Sequence, residues 1–215
     1  MADFVEHPEL REHSAGVDTR HVFHHAGHVQ AVQREQLLRQ RPATVWLTGL
    51  SGAGKSTLAY EVERRLLAQQ RLGFVLDGDN VRHRLNRDLG FTPSDRQENI
   101  RRTAEVAALM NDAGLIVFAS LISPYRQDRT MARSIIGDTR FIEVHVSTSL
   151  EVCEDRDTKG LYRKARKGLI PFFTGVSAPY EPPESPDLRI DTSLQMPHQS
   201  ADLLMALLAR RGLVQ

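Results

Sequence analysis

From Ala43 onward, short apolar runs alternate with stretches whose apolar positions recur every three or four residues. Ala43–Thr48 is a six-residue apolar run closed by Gly49, the pattern of a buried strand. Ser56–Gln70 follows with Leu58, Val62, Leu66 and Leu67 on one helical face. Phe74–Leu76 predicts a second strand, and Asp95–Ala113 a long helix with Ile100, Val106, Ala107 and Met110 on its apolar side. Leu115–Ala119 predicts a third strand, Gln127–Ile136 a helix, Phe141–Val146 a fourth strand and Leu150–Arg156 another helix. Leu188–Ile190 is a candidate fifth strand, and Ala201–Arg210 a closing helix. Strands that alternate with helices imply right-handed crossovers and a parallel sheet of about five strands, covered on both faces. Two segments stand outside this rhythm. Residues 156–183 are rich in Arg, Lys, Gly and Pro, with little apolar periodicity. Residues 1–41 form a polar arm in which only Ala31–Gln40 favours helix, ended by Pro42. This predicts an arm at 1–41 and one domain at 42–215.

Composition narrows the class. The 215 residues are 40% hydrophobic and 26% charged, enough apolar material for one sizeable core. A net charge of +1 argues against a general nucleic-acid binder. No apolar run approaches membrane-spanning length, and residues 1–11 lack the apolar stretch of a secretory signal. The single cysteine, Cys153, points to a reducing cytoplasm. The arm holds His7, His13, His21, His24, His25 and His28, six of the nine histidines. Four of them, at 21, 24, 25 and 28, have a spacing compatible with metal binding on a helical turn. No carboxylate or cysteine completes a ligand set, so a polar arm is the plainer reading.

The strongest local signal is Gly49-Leu-Ser51-Gly52-Ala53-Gly54-Lys55-Ser56-Thr57, which fits G-x-x-x-x-G-K-[ST] between a strand and an amphipathic helix. Its glycines let successive N–H groups face inward as an anion nest, and the following helix adds its positive end. Lys55 then reaches the β- and γ-phosphates of a nucleotide, and the Ser56 hydroxyl ligates Mg²⁺. Such a loop is shared by kinases, GTPases and motor ATPases. The second half of the chain has no Asn/Thr-Lys-x-Asp guanine motif. Small size and a cationic, glycine-containing segment late in the chain favour a kinase whose lid, about 156–183, closes over its nucleotide. The expected fold is a three-layer α/β domain of the nucleoside-monophosphate-kinase type.

Beyond the second strand come Asp77-Gly-Asp79-Asn80-Val81-Arg82. Ligands of parallel sheets sit beyond the carboxyl ends of strands, so both carboxylates are expected to face the phosphates. One suits holding Mg²⁺ through water or accepting the proton of an acceptor hydroxyl, and the other orienting that hydroxyl. An Asp-Gly turn with Asp79 as N-cap is the structural alternative. Phe91, Arg96 and Asn99 then offer a stacking ring, a forked guanidinium and an amide suited to a nucleotide monoester.

Six segments in order carry a specific resemblance: the phosphate loop, LDGDNVR (76–82), LGF with DRQENIRR (89–102), LISPYR (121–126), KGLYRKAR (159–166) and FTGVSAPYEPPE (173–184). Over residues 28–211 the chain is similar to adenylyl-sulfate kinases. The resemblance implies transfer of phosphate from MgATP to the 3′-hydroxyl of adenosine 5′-phosphosulfate. It implies that Asp79–Arg82, Phe91, Arg96, Asn99, Ile122 and Ser123 bind that acceptor. Phe173 and Thr174 close the site from the lid, so that Phe91 and Phe173 clamp the adenine. Arg156 and a basic lid segment containing Lys159 and Gly160 cover both substrates. The resemblance marks Ser123 as a possible phosphoserine, although the segment holds no histidine or lysine to activate it. It also implies a homodimer and a possible contact with ATP sulfurylase. Departures from the family pattern are Arg84, Leu169, Pro171 and Ser177, expected to act on lid closure and substrate affinity. Two other readings remain: a P-loop kinase with a different small-molecule acceptor, or a nucleotide-binding partner of sulfurylase without turnover.

Overall fold

Every backbone group in the middle of a parallel sheet needs a neighbour on both sides, and that requirement places β1 (Ala43–Thr48) at the centre. In the computed structural model, which describes Phe23 and residues 25–214, the sheet order is β2-β3-β1-β4-β5 with every pairing parallel. The other strands are β2 (Gly73–Asp77), β3 (Ile116–Ser120), β4 (Phe141–Val146) and β5 (Leu188–Ile190). All six residues of β1 and all five of β3 are buried, which is why these strands read as continuous apolar runs rather than alternating ones.

The helices are α1 (Ala31–Leu38), α2 (Lys55–Ala68), α3 (Gly78–His83), α4 (Pro93–Asp112), α5 (Arg126–Ile136), α6 (Leu150–Arg156), α7 (Leu161–Arg166) and α8 (Pro197–Arg210). They cover the sheet in two layers. On one face Val45, Leu47, Phe118 and Val144 pack with Leu58, Val62 and Leu66 of α2 and Leu204 and Leu208 of α8. On the other, Trp46, Val117 and Phe141 pack with Ile100, Ala104 and Ala107 of α4 and with Ala132 and Ile136 of α5. Strand residues alternate between the two clusters, as a period of two requires. Order and layers are those of a three-layer α/β fold. The crevice at the carboxyl ends of β1 and β3, where the crossovers change direction, is where such a sheet holds its ligands. No described helix is long and apolar enough to cross a membrane.

The chain divides into Met1–Gln30 and Ala31–Gln215. Helix α1 thus belongs with the sheet and its covering helices in the larger unit. Just after α1, the Gln40 amide donates to the carbonyls of Leu72 and Gly114, each at 2.9 Å, and accepts from the Leu72 N–H at 2.7 Å. His7, His13, His21 and His24 lie outside the described residues, and with them the metal reading of the arm. Among the described residues no cluster of His, Cys, Asp and Glu is arranged to hold a metal ion.

Two helices depart from expectation. In α3 the N-cap is Asp77, not Asp79: its carboxylate accepts from the N–H groups of Asp79 and Asn80. An Asp one residue before Gly78 can take the extended conformation that a cap requires, whereas Asp79 is already helical. Helix α7 forms inside the segment that lacked apolar periodicity. Asp157 accepts from the N–H groups of Tyr162 and Arg163, and Tyr162 and Ala165 anchor the helix in the core.

Beside the sheet, the buried His145 of β4 stacks on Tyr180 with ring centroids 5.8 Å apart. Burial, reinforced by Arg189 and Arg129, lowers its pKa from 6.5 to about 4. Unfolding restores the ordinary value, so between these two pH values the unfolded chain binds the extra proton. Stability should therefore fall as pH drops from about 6.5 towards 4 and then level off, by about 2 kcal/mol once partial solvation of the ring is allowed for. Chemical denaturation across this range, compared with His145→Asn, checks this: the variant should lose less stability than the wild type.

Candidate active site

The carboxyl ends of β1, β2 and β3 open into a cavity of about 810 Å³, near the top of the range for small-molecule sites. Its floor is the turn after β1. Gly49 lies so close to the Val146 carbonyl that a Cβ there would collide with it. Gly54 has φ 96° and forms the N-cap of α2, a left-handed conformation that favours glycine. The loop so formed folds over Lys55, whose ammonium is buried and donates to the carbonyls of Gly49 (2.9 Å) and Leu50 (2.7 Å). Burial lowers the Lys55 pKa from 10.5 to about 8, against the opposing pull of Cys153, Asp77 and Asp79. A buried cation bonded only to neutral carbonyls, at the N-terminus of a 14-residue helix, is a site short of negative charge.

Next to it, Ser56 donates its hydroxyl proton to Asp77 Oδ2 at 2.6 Å, with the Ser120 hydroxyl 3.2 Å from Ser56. Asp77 thus caps α3 with one oxygen and holds Ser56 with the other. Asp79 is uncommitted to the backbone, and its carboxylate pairs with Lys159 across the cavity mouth. Along the far wall, Arg82 donates to the Gly90 carbonyl at 2.6 Å, and its guanidinium sits 4.5 Å from the centre of the Phe91 ring. Arg96 approaches the same ring at 5.8 Å and donates to Phe91 O, Phe172 O and Thr174 Oγ1. Neither arginine has a carboxylate partner among the described residues, and burial lowers the pKa of each. The Asn99 carbonyl oxygen accepts from Asn86 at 3.0 Å, leaving the amide N–H groups of Asn99 for the cavity it lines.

Most of the residues expected from sequence meet here. Ser51, Gly52, Gly54, Lys55, Ser56, Thr57, Asp77, Asp79, Arg82, Phe91, Arg96, Asn99, Ile122, Ser123, Arg156, Lys159, Phe173 and Thr174 all line the cavity. Five others act from behind it. The Gly49 carbonyl holds Lys55, the Ala53 carbonyl accepts from Thr192, and Asn80 donates to Tyr60. Val81 is buried in the core, and Gly160 caps α7. Phe173 is buried edge-on against Tyr162, centroids 5.0 Å apart, whereas Phe91 is 57% exposed. The two rings are therefore not equally free to clamp a base. The basic run also divides. Arg156 and Lys159 face the cavity, while Arg163, Lys164, Arg166 and Lys167 are exposed away from it, Arg166 pairing with Glu154. Arg84, Leu169 and Pro171 are exposed and do not line the cavity. The Ser177 hydroxyl accepts from the Phe173 N–H at 2.9 Å, bracing the turn beside Thr174.

The family profile described as adenylylsulphate kinase matches residues 41–191, from the strand before the phosphate loop to the end of the sheet. The chain belongs to the adenylylsulphate kinase family. It is 48% identical to an adenylyl-sulfate kinase of Staphylococcus epidermidis over 87% of this chain and 94% of that protein. It is 52% identical to the bifunctional enzyme NodQ of Azospirillum brasilense over 87% of this chain, which spans only 30% of that relative's length. Among solved structures, that of the Mycobacterium tuberculosis APS kinase CysC in complex with AMPPNP and APS aligns with a TM-score of 0.77. The identity is 48%, covering 79% of this chain and 99% of the other.

Within this family framework, Thr192 is the residue that motif reading missed. It follows β5, accepts from Arg156 at 2.8 Å, and donates to the Ala53 carbonyl at 2.8 Å, tying the lid helix to the phosphate loop. Nothing in the local sequence signals this, because the tie depends on β5 pairing with β4. Tyr162 makes a parallel tie by donating to the Ser51 carbonyl at 2.9 Å.

The protonated form of Lys55 is the one that phosphates recognise. Affinity for a nucleoside triphosphate should therefore hold steady below pH 8 and fall as pH rises above it, by up to about tenfold per unit. Calorimetric titration of wild type and Lys55→Ala from pH 7 to 9.5 reads this. A wild-type profile as flat as the variant's would show that Lys55 does not face the bound phosphates.

Proposed function

We propose that this protein phosphorylates the 3′-hydroxyl of adenosine 5′-phosphosulfate with MgATP, giving 3′-phosphoadenosine 5′-phosphosulfate and ADP. The observation that carries the reading is the cavity itself. A phosphate loop with a buried Lys55 stands at one end, and the guanidiniums of Arg82 and Arg96, without a carboxylate partner among the described residues, stand around Phe91 at the other. Family membership supports the same reaction, as do the relative named adenylyl-sulfate kinase and the neighbour holding AMPPNP and APS.

The chemistry follows from where each group sits. The nest of N–H groups and the Lys55 ammonium take the β- and γ-phosphates, and Arg156 with Thr192 closes the donor end. A hydroxyl and a carboxylate beside a phosphate cradle suit Mg²⁺, which keeps several waters and takes few protein ligands, so Ser56 and Asp77 would hold it. Bound there, it would neutralise charge on the transferring phosphoryl group. At the acceptor end, Phe91 stacks on adenine, and Arg82 and Arg96 take the phosphosulfate. Asp79, released from Lys159, accepts the proton of the 3′-hydroxyl as its oxygen bonds to the γ-phosphorus and the bond to ADP breaks. Ser123 is not a nucleophile in this scheme. Its oxygen accepts from the Trp46 indole at 3.1 Å, and no basic side chain contacts that oxygen among the described residues. Transfer between two bound nucleotides then needs only alignment and charge neutralisation. A homodimer, a contact with ATP sulfurylase and a cytoplasmic setting belong to the same proposal. The bifunctional relatives, far longer than this chain, support work beside a second activity, and the buried free Cys153 suits a reducing compartment.

A coupled assay with MgATP tests the reaction, offering adenosine 5′-phosphosulfate, nucleoside monophosphates and sugars in turn. Preference for any acceptor other than adenosine 5′-phosphosulfate overturns it. Within the active enzyme, Arg96→Ala and Phe91→Ala should weaken the acceptor by roughly 1–3 kcal/mol and ATP far less. Equal weakening of both substrates would place these residues at the wrong end of the cavity. Ser177→Ala should raise the acceptor KM by about two- to fivefold through loss of one hydrogen bond to Phe173, and Ser177→Asp, which keeps an acceptor there, should raise it less. Identical kinetics in all three proteins would show that the position is passive.

A further inference from the structure

The turn after β3 is held by hydrogen bonds within the protein that leave one donor, the Ser123 hydroxyl, without an acceptor among the described residues. Ser123 has φ 39°, a left-handed conformation that a residue with a Cβ adopts only under constraint, and it is 3% exposed. Three side chains impose that conformation. The Thr48 hydroxyl shares its single proton between the carbonyls of Ile122 (2.8 Å) and Ser123 (3.2 Å), and Arg129 donates to the Ser123 carbonyl at 2.7 Å. Arg129 is itself buried and fixed, with its other donors spent on Glu143 and on the Glu181 carbonyl. The third is Trp46, whose indole nitrogen lies 3.1 Å from Ser123 Oγ.

The chemistry of that last contact sets a direction. An indole N–H donates and cannot accept, so the Ser123 oxygen must accept, and the single hydroxyl proton must go elsewhere. No protein acceptor is paired with it among the described residues, and Ser123 lines the cavity. Trp46 cannot swing away, because it is fully buried in β1 and stacked on Phe141 with centroids 5.7 Å apart.

We propose that Trp46 is a positioning residue of the transfer site. Its indole N–H, together with the Thr48 and Arg129 clamp on the Ser123 carbonyl, aims the Ser123 hydroxyl proton into the cavity as a hydrogen-bond donor to an oxygen of the acceptor substrate. The identity of that acceptor rests on the proposed function; the clamp does not. Ser123 in this role binds and orients, and forms no covalent bond.

The test uses the full chain, in which Trp46 is the sole tryptophan and hence an internal fluorescence probe. Trp46→Phe keeps a ring against Phe141, at the cost of some core volume, and removes the indole donor from Ser123. It should raise the KM for adenosine 5′-phosphosulfate by about three- to tenfold, with KM for ATP changed by less than about twofold. Ser123→Ala should do the same, and adding Trp46→Phe in the Ser123→Ala background should then change the acceptor KM by less than about twofold. Equal effects of Trp46→Phe in both backgrounds, or equal loss for both substrates, would make Trp46 a core residue only. Should Trp46→Phe fail to fold, the ligand-free Ser123→Ala protein decides. Loss of the indole's acceptor should shift the Trp46 emission to shorter wavelength, and an unchanged spectrum overturns the clamp. That spectrum needs no substrate, so it judges the clamp even if wild type does not phosphorylate adenosine 5′-phosphosulfate, a result that would remove the proposed function alone.

Discussion

A cation buried without an anion is the constraint on which the site depends. Lys55 is taken out of water by the turn that must follow β1, and its hydrogen bonds among the described residues go to the carbonyls of Gly49 and Leu50. Such an arrangement is unfavourable in the free protein, which is why its pKa falls to about 8. A bound polyphosphate restores the missing charge. The cost is tolerated because the rest of the fold fixes the turn: β1 is hydrogen-bonded on both sides, Gly49 abuts Val146, and Tyr162 and Thr192 tie the loop to the lid and to the β5–α8 connection.

The same logic recurs across the cavity. Arg82 and Arg96 are partly buried, bonded to carbonyls and a hydroxyl and gathered about Phe91, again with no carboxylate paired to them among the described residues. The two ends of one cavity are thus each short of negative charge, and between them stand the carboxylates of Asp77 and Asp79. Their roles separate by partner. Asp77 is locked to Ser56 and to the start of α3, whereas Asp79 is held only by Lys159 of the lid, an exposed pair that a substrate can replace at little cost.

How much of this the sequence carried depends on how local each cause is. β1 was legible because burial on both faces writes it as a nearly continuous apolar run; β4 and β5, which carry Glu143, His145 and the exposed Arg189, are apolar at their ends, and all three strands have the bounds that the pattern predicts. The phosphate loop was legible because its constraint is local too, a set of backbone conformations that favour glycine. Helices α3 and α7 were not, since each is six residues long and stands on one aspartate that accepts from its first N–H groups and on contacts made elsewhere in the chain. The facing of the basic run was equally hidden. Composition shows six cations close together, but only the insertion of Tyr162 into the core turns Arg163, Lys164, Arg166 and Lys167 outward. Thr192 and the Trp46–Ser123 contact share that character, since both join residues that only sheet pairing brings together.

Both ends of the cavity must be filled at once if the phosphoryl group is to pass directly from donor to acceptor, and the stereochemistry at phosphorus reports whether it does. Turnover of ATP made chiral at the γ-phosphorus with oxygen isotopes, with adenosine 5′-phosphosulfate as acceptor, should give a 3′-phosphate of inverted configuration, the signature of a single in-line displacement. Retention of configuration would mean two successive transfers through a group on the protein, and would contradict the account.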